Sequence, residues 1–188
     1  MNITAGKYKG QKIIAPDENI TRPTLSKVRM SVFNTLQAMV DFEGLSFLDM
    51  YSGSGIMALE AISRGFSHAT MIEKNKKVYN IIKQNIKKYE SENDIKLILG
   101  DSLKVCEKLN SKFDIIYIDP PYFSGIYEKS LEVALKNSSG IIILEHVTEL
   151  DLSKVNLTER MKKSPLIKER IKGMNFGFLS KRGYYATD

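Results

Sequence analysis

Four consecutive residues, Asp119-Pro120-Pro121-Tyr122, follow directly after the apolar run 113–118. Each proline fixes its φ at about −65° and restricts the residue before it, so this loop is stiff. Stiffness would hold the Asp119 carboxylate, the Pro120 carbonyl and the Tyr122 ring in one arrangement. That arrangement suits methylation of an exocyclic amine on a nucleobase. Such a nitrogen is a poor nucleophile, because its lone pair is delocalised into the ring. Two acceptors gripping its hydrogens would localise the lone pair, and an aromatic ring would stack on the base and fix its plane. Asp-Pro and Pro-Pro are also ordinary turn dipeptides. A turn, however, requires neither an aspartate nor an aromatic ring at the ligand edge of a central strand.

A second constellation, Asp49-Met50-Tyr51-Ser52-Gly53-Ser54-Gly55, ends the apolar run 45–50 and opens a helical pattern. Gly53 and Gly55 let the backbone approach a ligand. The stretch Gly53-Ser54-Gly55-Ile56-Met57-Ala58 matches the dinucleotide fingerprint G-x-G-x-x-G/A, a weak signal alone. Asp49 would repel a pyrophosphate and attract a cation. S-adenosylmethionine carries both an ammonium and a sulfonium, so the electrostatics favour it over a nicotinamide dinucleotide. The plainer reading makes Asp49 the cap of a Gly-rich turn. Glu73 ends the next strand-like run, where it could accept hydrogen bonds from ribose hydroxyls or complement a helix dipole. Asp101, in Gly100-Asp101-Ser102, could accept from an adenine amine or cap a helix. Three successive strands ending in an acid are harder to explain by caps alone.

The elements that would position these residues alternate. Runs 45–50, 69–72, 95–99, 113–118 and 140–145 read as strands, and 56–64, 75–90, a short stretch after Ser102, and 126–136 as helices. The clearest helix carries Val78, Ile81, Ile82, Ile86 and Tyr89 at helical spacing, with lysines as its solvated face. Nearly continuous apolar strands alternating with helices predict a doubly wound, mostly parallel α/β sheet. Segments 166–171 and 176–179 look like a closing antiparallel pair, and the first 20 residues like a small β-hairpin turning at Gly6 and Gly10. Residues 25–40 fit a helix starting near Thr24.

Composition removes several classes. The chain has 188 residues, which predicts one domain over 1–188, with a basic extension at 1–24 and a catalytic body at 25–188. One cysteine, Cys106, excludes a disulfide scaffold, and with His68 and His146 it cannot complete a zinc finger; no metal is expected. Cys106 falls at core spacing with Leu103 and Leu109. The longest apolar run is too short for a bilayer and the start lacks a signal-peptide core, so a soluble cytoplasmic protein is expected. The net charge is +6, but its placement is uneven. Residues 1–30 and 159–188 are net basic, whereas 31–158 hold more acids than bases. Basic ends suggest phosphate contacts.

Together these segments resemble the RsmD family, the small-subunit 16S ribosomal RNA guanine-N2 methyltransferases among the class I S-adenosylmethionine-dependent enzymes. The resemblance covers nearly the whole chain: Ala5-Gly6-Lys7-Tyr8-Lys9-Gly10-Gln11-Lys12, Thr21-Arg22-Pro23-Thr24, Val28-Arg29, Phe33-Asn34, the Asp49–Gly55 turn, Leu59-Glu60-Ala61-Ile62-Ser63-Arg64-Gly65 and Asp119-Pro120-Pro121-Tyr122. It departs from the family pattern at Ser26, Met30 and Met57-Ala58. The resemblance implies a Rossmann-like sheet of seven strands with an antiparallel C-terminal strand. It also implies that Asp119, Pro120, Pro121 and Tyr122 hold the target guanine. S-adenosylmethionine, leaving as S-adenosylhomocysteine, would be held by Asp49, Tyr51, Ser52, Gly53, Ser54, Gly55, Glu73, Lys74, Asp101 and Ser102. Lys7, Lys9, Lys12, Arg22, Thr24 and Arg29 would meet the RNA, in an assembled or assembling small subunit, with the enzyme a monomer. Three alternatives remain at this level: a DNA adenine-N6 methyltransferase, which shares Asp-Pro-Pro-Tyr; a nicotinamide oxidoreductase; and a non-catalytic RNA-binding module.

Overall fold

A computed structural model describes residues 1–17, 24–121, 126–146, 167–171 and 174–180. The elements run α1 (Ser26–Met39), β1 (Ser46–Asp49), α2 (Ile56–Ser63), β2 (His68–Glu73), α3 (Lys76–Lys88), β3 (Ile95–Leu99), α4 (Ser102–Lys108), β4 (Phe113–Ile118), α5 (Ile126–Asn137), β5 (Ser138–His146), β6 (Ile167–Ile171) and β7 (Met174–Ser180). One sheet orders them β3-β2-β1-β4-β5-β7-β6. The first five are parallel, with Phe47 beside both Ala69 and Ile115, and Ile116 beside Ile142. β7 joins β5 antiparallel, and β6 joins β7 antiparallel. The chain winds outward from β1 to β3, then returns to place β4 on the other side of β1. Ligands of such sheets bind at the carboxyl ends of the strands flanking this reversal. Here those strands are β1 and β4, whose ends carry Asp49 and Asp119.

Strand periodicity explains the two layers. Successive side chains point to opposite faces. Phe47, Ala69, Met71, Ile115, Tyr117, Ile141 and Ile143 therefore join α1, α2 and α3 in one core. Leu48, Met50, Ile72, Ile116, Ile118, Ile142 and Leu144 join α4 and α5 in the other. The α1 side holds four phenylalanines: Phe42 stacks on Phe66 at 4.7 Å and Phe33 on Phe47 at 6.1 Å. Burial on both faces is why the middle strands read as unbroken apolar runs.

The N-terminal segment turns back on itself as a short hairpin: Asn2 and Lys12 form an antiparallel bridge, Ile3 N–H donates to the Gln11 carbonyl at 2.9 Å, Gly10 N–H to the Ile3 carbonyl at 2.8 Å and Ile13 N–H to the Met1 carbonyl at 3.0 Å. Its remaining polar groups go to the helices. Thr4 donates to Glu60 through its amide at 2.8 Å and its hydroxyl at 2.9 Å. Tyr8 N–H donates to Ser63 Oγ at 2.9 Å, and the Tyr8 hydroxyl to the Tyr89 carbonyl at 2.9 Å. Asn85, fully buried, pairs both ways with the backbone of Ile14. Gly6 lies so close to α2 that a β-carbon there would sit 1.7 Å from the Ser63 carbonyl oxygen, and its φ is +78°. Residues 1–14 are a strap across the C-terminal halves of α2 and α3.

Candidate active site

The turn after β1 is built from small residues and backbone groups. Ser52 N–H donates to the Ile72 carbonyl at 3.0 Å, and Ser52 Oγ accepts from Ile72 N–H at 3.1 Å. This serine therefore sews β1 to β2. Gly53 and Gly55 have φ of +50° and +76°, in the left-handed region that a β-carbon disfavours. They differ in surroundings. A β-carbon at Gly55 would press on Ile82 and Met71 at 3.2–3.3 Å, whereas one at Gly53 would meet nothing within 4 Å. Gly55 is needed for packing, and Gly53 borders open space. No side chain caps α2, which starts at Gly55.

Two carboxylates flank this turn. Glu73 Oε2 accepts from Gly53 N–H at 3.0 Å and Oε1 from Asn75 N–H at 2.7 Å. Burial still raises its pKa, partly offset by these amides. Asp49 is 1% exposed and neither of its oxygens has a hydrogen-bond partner. Burial first, and the Glu73 charge second, push its pKa up to about 7; the nearby amides of Tyr51 and Ala58 only moderate the rise. A carboxylate buried without a partner is expensive. Asp49 is thus an empty-handed acceptor at the sheet's ligand edge, and a cation fits it better than an anion.

β4 and β5 end beside it. Ile118 lies in register with Leu144, which brings Asp119 next to Glu145. Tyr117, fully enclosed, donates its hydroxyl to Glu145 Oε2 at 2.7 Å. Burial and the charges of Asp119 and Glu145 hold this phenol well above its ordinary pKa. Asp119 and Pro121 are half-buried and Pro120 is buried. Asp49, Tyr117, Asp119 and Glu145 thereby form one acidic group at the reversal of strand order.

The other expected residues separate into kinds. Tyr51 bonds to Ser130 Oγ on α5 at 2.7 Å, and Ser130 in turn donates to the Ile126 carbonyl, so Tyr51 anchors the turn to α5. Ser102 donates to the Met50 carbonyl, tying α4 to the same turn. Ser54 is buried and Lys74 exposed. Asp101 is exposed and caps α4 by accepting from Lys104 N–H at 3.1 Å. Arg29 does not reach a mouth. It is 1% exposed, pairs with Glu60 at 3.2 Å, and donates to the carbonyls of Thr24 and Asn2. Its guanidinium finds acceptors inside the fold, so it positions Thr24 and the strap. Lys7, Lys9 and Lys12 are exposed at the C-terminal ends of α2 and α3, away from the strand ends. Arg22 and Tyr122 lie outside the described residues. Cys106 is buried, with its thiol pushed up to about 12 by burial, as suits a core side chain. Among the described residues, no group of three or more His, Cys, Asp or Glu is placed to hold a metal, and no helix is long and apolar enough to cross a membrane.

Sequence reasoning missed Tyr117 and Glu145. Their signal was present: a polar ring among the isoleucines 115, 116 and 118, and an acid one step from Leu144. Glu60 was also missed as a hub. It takes Arg29, Arg64 at 3.3 Å and Thr4, all from inside the fold.

Comparison with known proteins agrees with this architecture. The family model described as "Conserved hypothetical protein 95" matches residues 1–178. "Ribosomal RNA small subunit methyltransferase D" of Buchnera aphidicola is 34% identical over 74% of this chain and 71% of its own. "Putative rRNA methyltransferase YlbH" of Bacillus subtilis is 31% identical over 81% of this chain and 85% of its own. The solved structure titled "Putative methyltransferase yhhF from Escherichia coli" superposes with a TM-score of 0.81 at 23% identity, covering 96% of this chain and 97% of that one, and shares the fold. With the sheet, the turn after β1 and both relatives pointing the same way, the chain belongs to the RsmD family of methyltransferases.

Proposed function

We propose that this protein transfers a methyl group from S-adenosylmethionine to the exocyclic N2 of one guanine in 16S ribosomal RNA. The observation that carries the reading is Asp49, buried, unpartnered and adjacent to an open left-handed turn at Gly53. Family membership supplies the substrate class, since relatives carry the name ribosomal RNA small subunit methyltransferase D.

When bound, S-adenosylmethionine supplies a methyl carbon made electrophilic by its sulfonium. Asp49 would hold the cationic end and so gain the partner it lacks. Glu73, which shapes the Gly53 turn, would hold the ribose together with Lys74, and Asp101 with Ser102 would hold the adenine. Tyr51, Ser52, Ser54 and Gly55 hold the turn. At the other end Asp119 and the Pro120 carbonyl accept the two amine hydrogens of the base. This localises the lone pair on nitrogen and aims it at the methyl carbon. Tyr122 would stack on the ring and Pro121 would keep the loop rigid, while Tyr117 donates to Glu145 within the same acidic group. As the nitrogen–carbon bond formed, the carbon–sulfur bond would break to release S-adenosylhomocysteine, and the nitrogen's proton would pass through the Asp119 carboxylate to solvent, so this reading calls on no metal or strong base. Unstacking the guanine costs a few kcal/mol, least in a loop. Arg22 and Thr24 would meet the substrate at the mouth, and Lys7, Lys9 and Lys12 would contact RNA further out. In this reading the chain is one domain, a monomer of the cytoplasm. Residues 1–24 form its basic extension and residues 25–188 its catalytic body, the seven-stranded sheet closes with its antiparallel pair, and the substrate is the assembled or assembling subunit.

The test uses small subunits from cells lacking the enzyme, labelled S-adenosylmethionine, and mass spectrometry of the modified nucleotide. Wild type is expected to label one guanine at N2. Asp119→Ala is expected to lose at least about a hundredfold in turnover, the scale of a lost positioning and polarising group, while still binding cofactor in calorimetry. Label in adenine of duplex DNA with none in ribosomal RNA would replace this reading with the DNA adenine-N6 alternative.

A further inference from the structure

The exposed side of α3 and the strap form one surface, although they are far apart in the chain. α3 buries Val78, Ile82, Asn85 and Ile86. Its opposite side carries Lys76, Lys77, Lys83, Lys87 and Lys88, all exposed. Residues 76, 83 and 87 share one row of the helix surface, and 77 and 88 lie in the next. At the C-terminal end the strap continues the row. Lys88 Nζ and the Tyr89 hydroxyl both donate to the Lys12 carbonyl, which fixes Lys12 beside Lys88. Lys7 lies over the Tyr8 ring, and Tyr8 packs on Tyr89 at 5.0 Å. Among the described residues the ion pairs are Arg29–Glu60 and Arg64–Glu60, so none of these lysines has a carboxylate counter-ion. The neighbouring Tyr8, and more weakly the charges of Asp94 and Glu90, raise the pKa of Lys7.

We infer that α3 and the strap together form a phosphate-binding track for ribosomal RNA, separate from the base pocket. α3 has 13 residues and so runs about 20 Å. It starts just after Glu73 and Asn75, at the pocket edge, and ends at the strap. A track of that length faces several consecutive phosphates of one strand. Unpaired lysines are suited to it, because RNA binding releases counter-ions from the strand without first breaking protein ion pairs. The RNA identity rests on the function proposed above; the track itself rests on the lysines.

The test is Lys83→Gln/Lys87→Gln, two exposed positions outside the pocket, with Lys104→Gln/Lys108→Gln on α4 as a control of equal charge. Binding of undermethylated small subunits is followed at several salt concentrations, alongside methyl-transfer kinetics. The α3 pair is expected to flatten the slope of log K against log salt by about 1.4–1.8 and to raise the KM for subunits about tenfold, with kcat and cofactor affinity unchanged. The control pair leaves the slope in place. An unmoved slope in the α3 pair, or equal effects of both pairs, overturns the track. Wild type that binds subunits with this slope but transfers no methyl group would overturn the proposed reaction and leave the track standing.

Discussion

Asp49 shows how one residue can be costly to the fold and useful to the site. Its carboxyl sits at about 7 in the folded protein against 3.8 in the unfolded chain. Between those values the folded state holds a proton that the unfolded state has released. Stability therefore falls as pH rises from about 4 to about 7, then levels out. Glu73, also raised by burial, acts in the same direction. Asp49→Asn removes the effect. Its cofactor-free Tm at pH 8 is expected to exceed that of wild type by several degrees, and its Tm to vary less between pH 4 and 7, both read by calorimetry. The same substitution should nearly abolish binding of S-adenosylmethionine. In wild type, cofactor affinity should weaken as pH falls below about 7, approaching tenfold per pH unit, because only the ionised carboxylate attracts a cation. A pH-independent affinity would remove Asp49 from the cofactor site. At this scale the placement of Asp49, Gly53 and Asp119 at strand ends was legible, because glycine spacing and paired prolines are local signals. The Tyr117–Glu145 contact was not, because it depends on the register between β4 and β5.

Among the elements, the sheet and its helices were legible from periodicity to within a residue or two at most ends. β3 and β4 occupy the residues expected, and α3 differs from its expected range by one or two residues at each end. In the strap the turn was legible, since Gly6 and Gly10 have positive φ between the paired ends 1–3 and 11–13. Its docking was not, because turn residues do not say which surface covers them. That surface is α2 and α3, and the hub is Glu60, fully buried between Arg29 and Arg64. Removing one member of such a cluster leaves buried charge uncompensated, at a cost of about 3–5 kcal/mol. Glu60→Ala is therefore expected to lose about that much in urea unfolding and to expose the strap to limited proteolysis first. A loss under about 1 kcal/mol would mean that the arginines find other partners.

For the whole molecule, charge and fold divide the labour unevenly. The net +6 is not spread over the surface: acids gather at the strand ends, and lysines along α3 and the strap. Ligand linkage should report on the acidic end. S-adenosylmethionine at about a hundred times its Kd stabilises the folded state by about 2.7 kcal/mol, which for a chain of this size raises Tm by about 5–11 °C. At one fixed cofactor concentration the shift should be larger at pH 8 than at pH 6, since Asp49 is mostly charged at the higher value and mostly protonated at the lower. An equal shift at both would argue that the ammonium and sulfonium are held elsewhere. The strap has a consequence in time as well. Its partners lie 55 to 81 residues further along the chain: Ser63 for Tyr8, Asn85 for Ile14 and Tyr89 for the Tyr8 hydroxyl. During synthesis, residues 3–14 leave the ribosome well before the surface they close has been made. This segment thus emerges well before it can dock, and its apolar Ile3, Tyr8 and Ile13 stay uncovered until α3 has been translated.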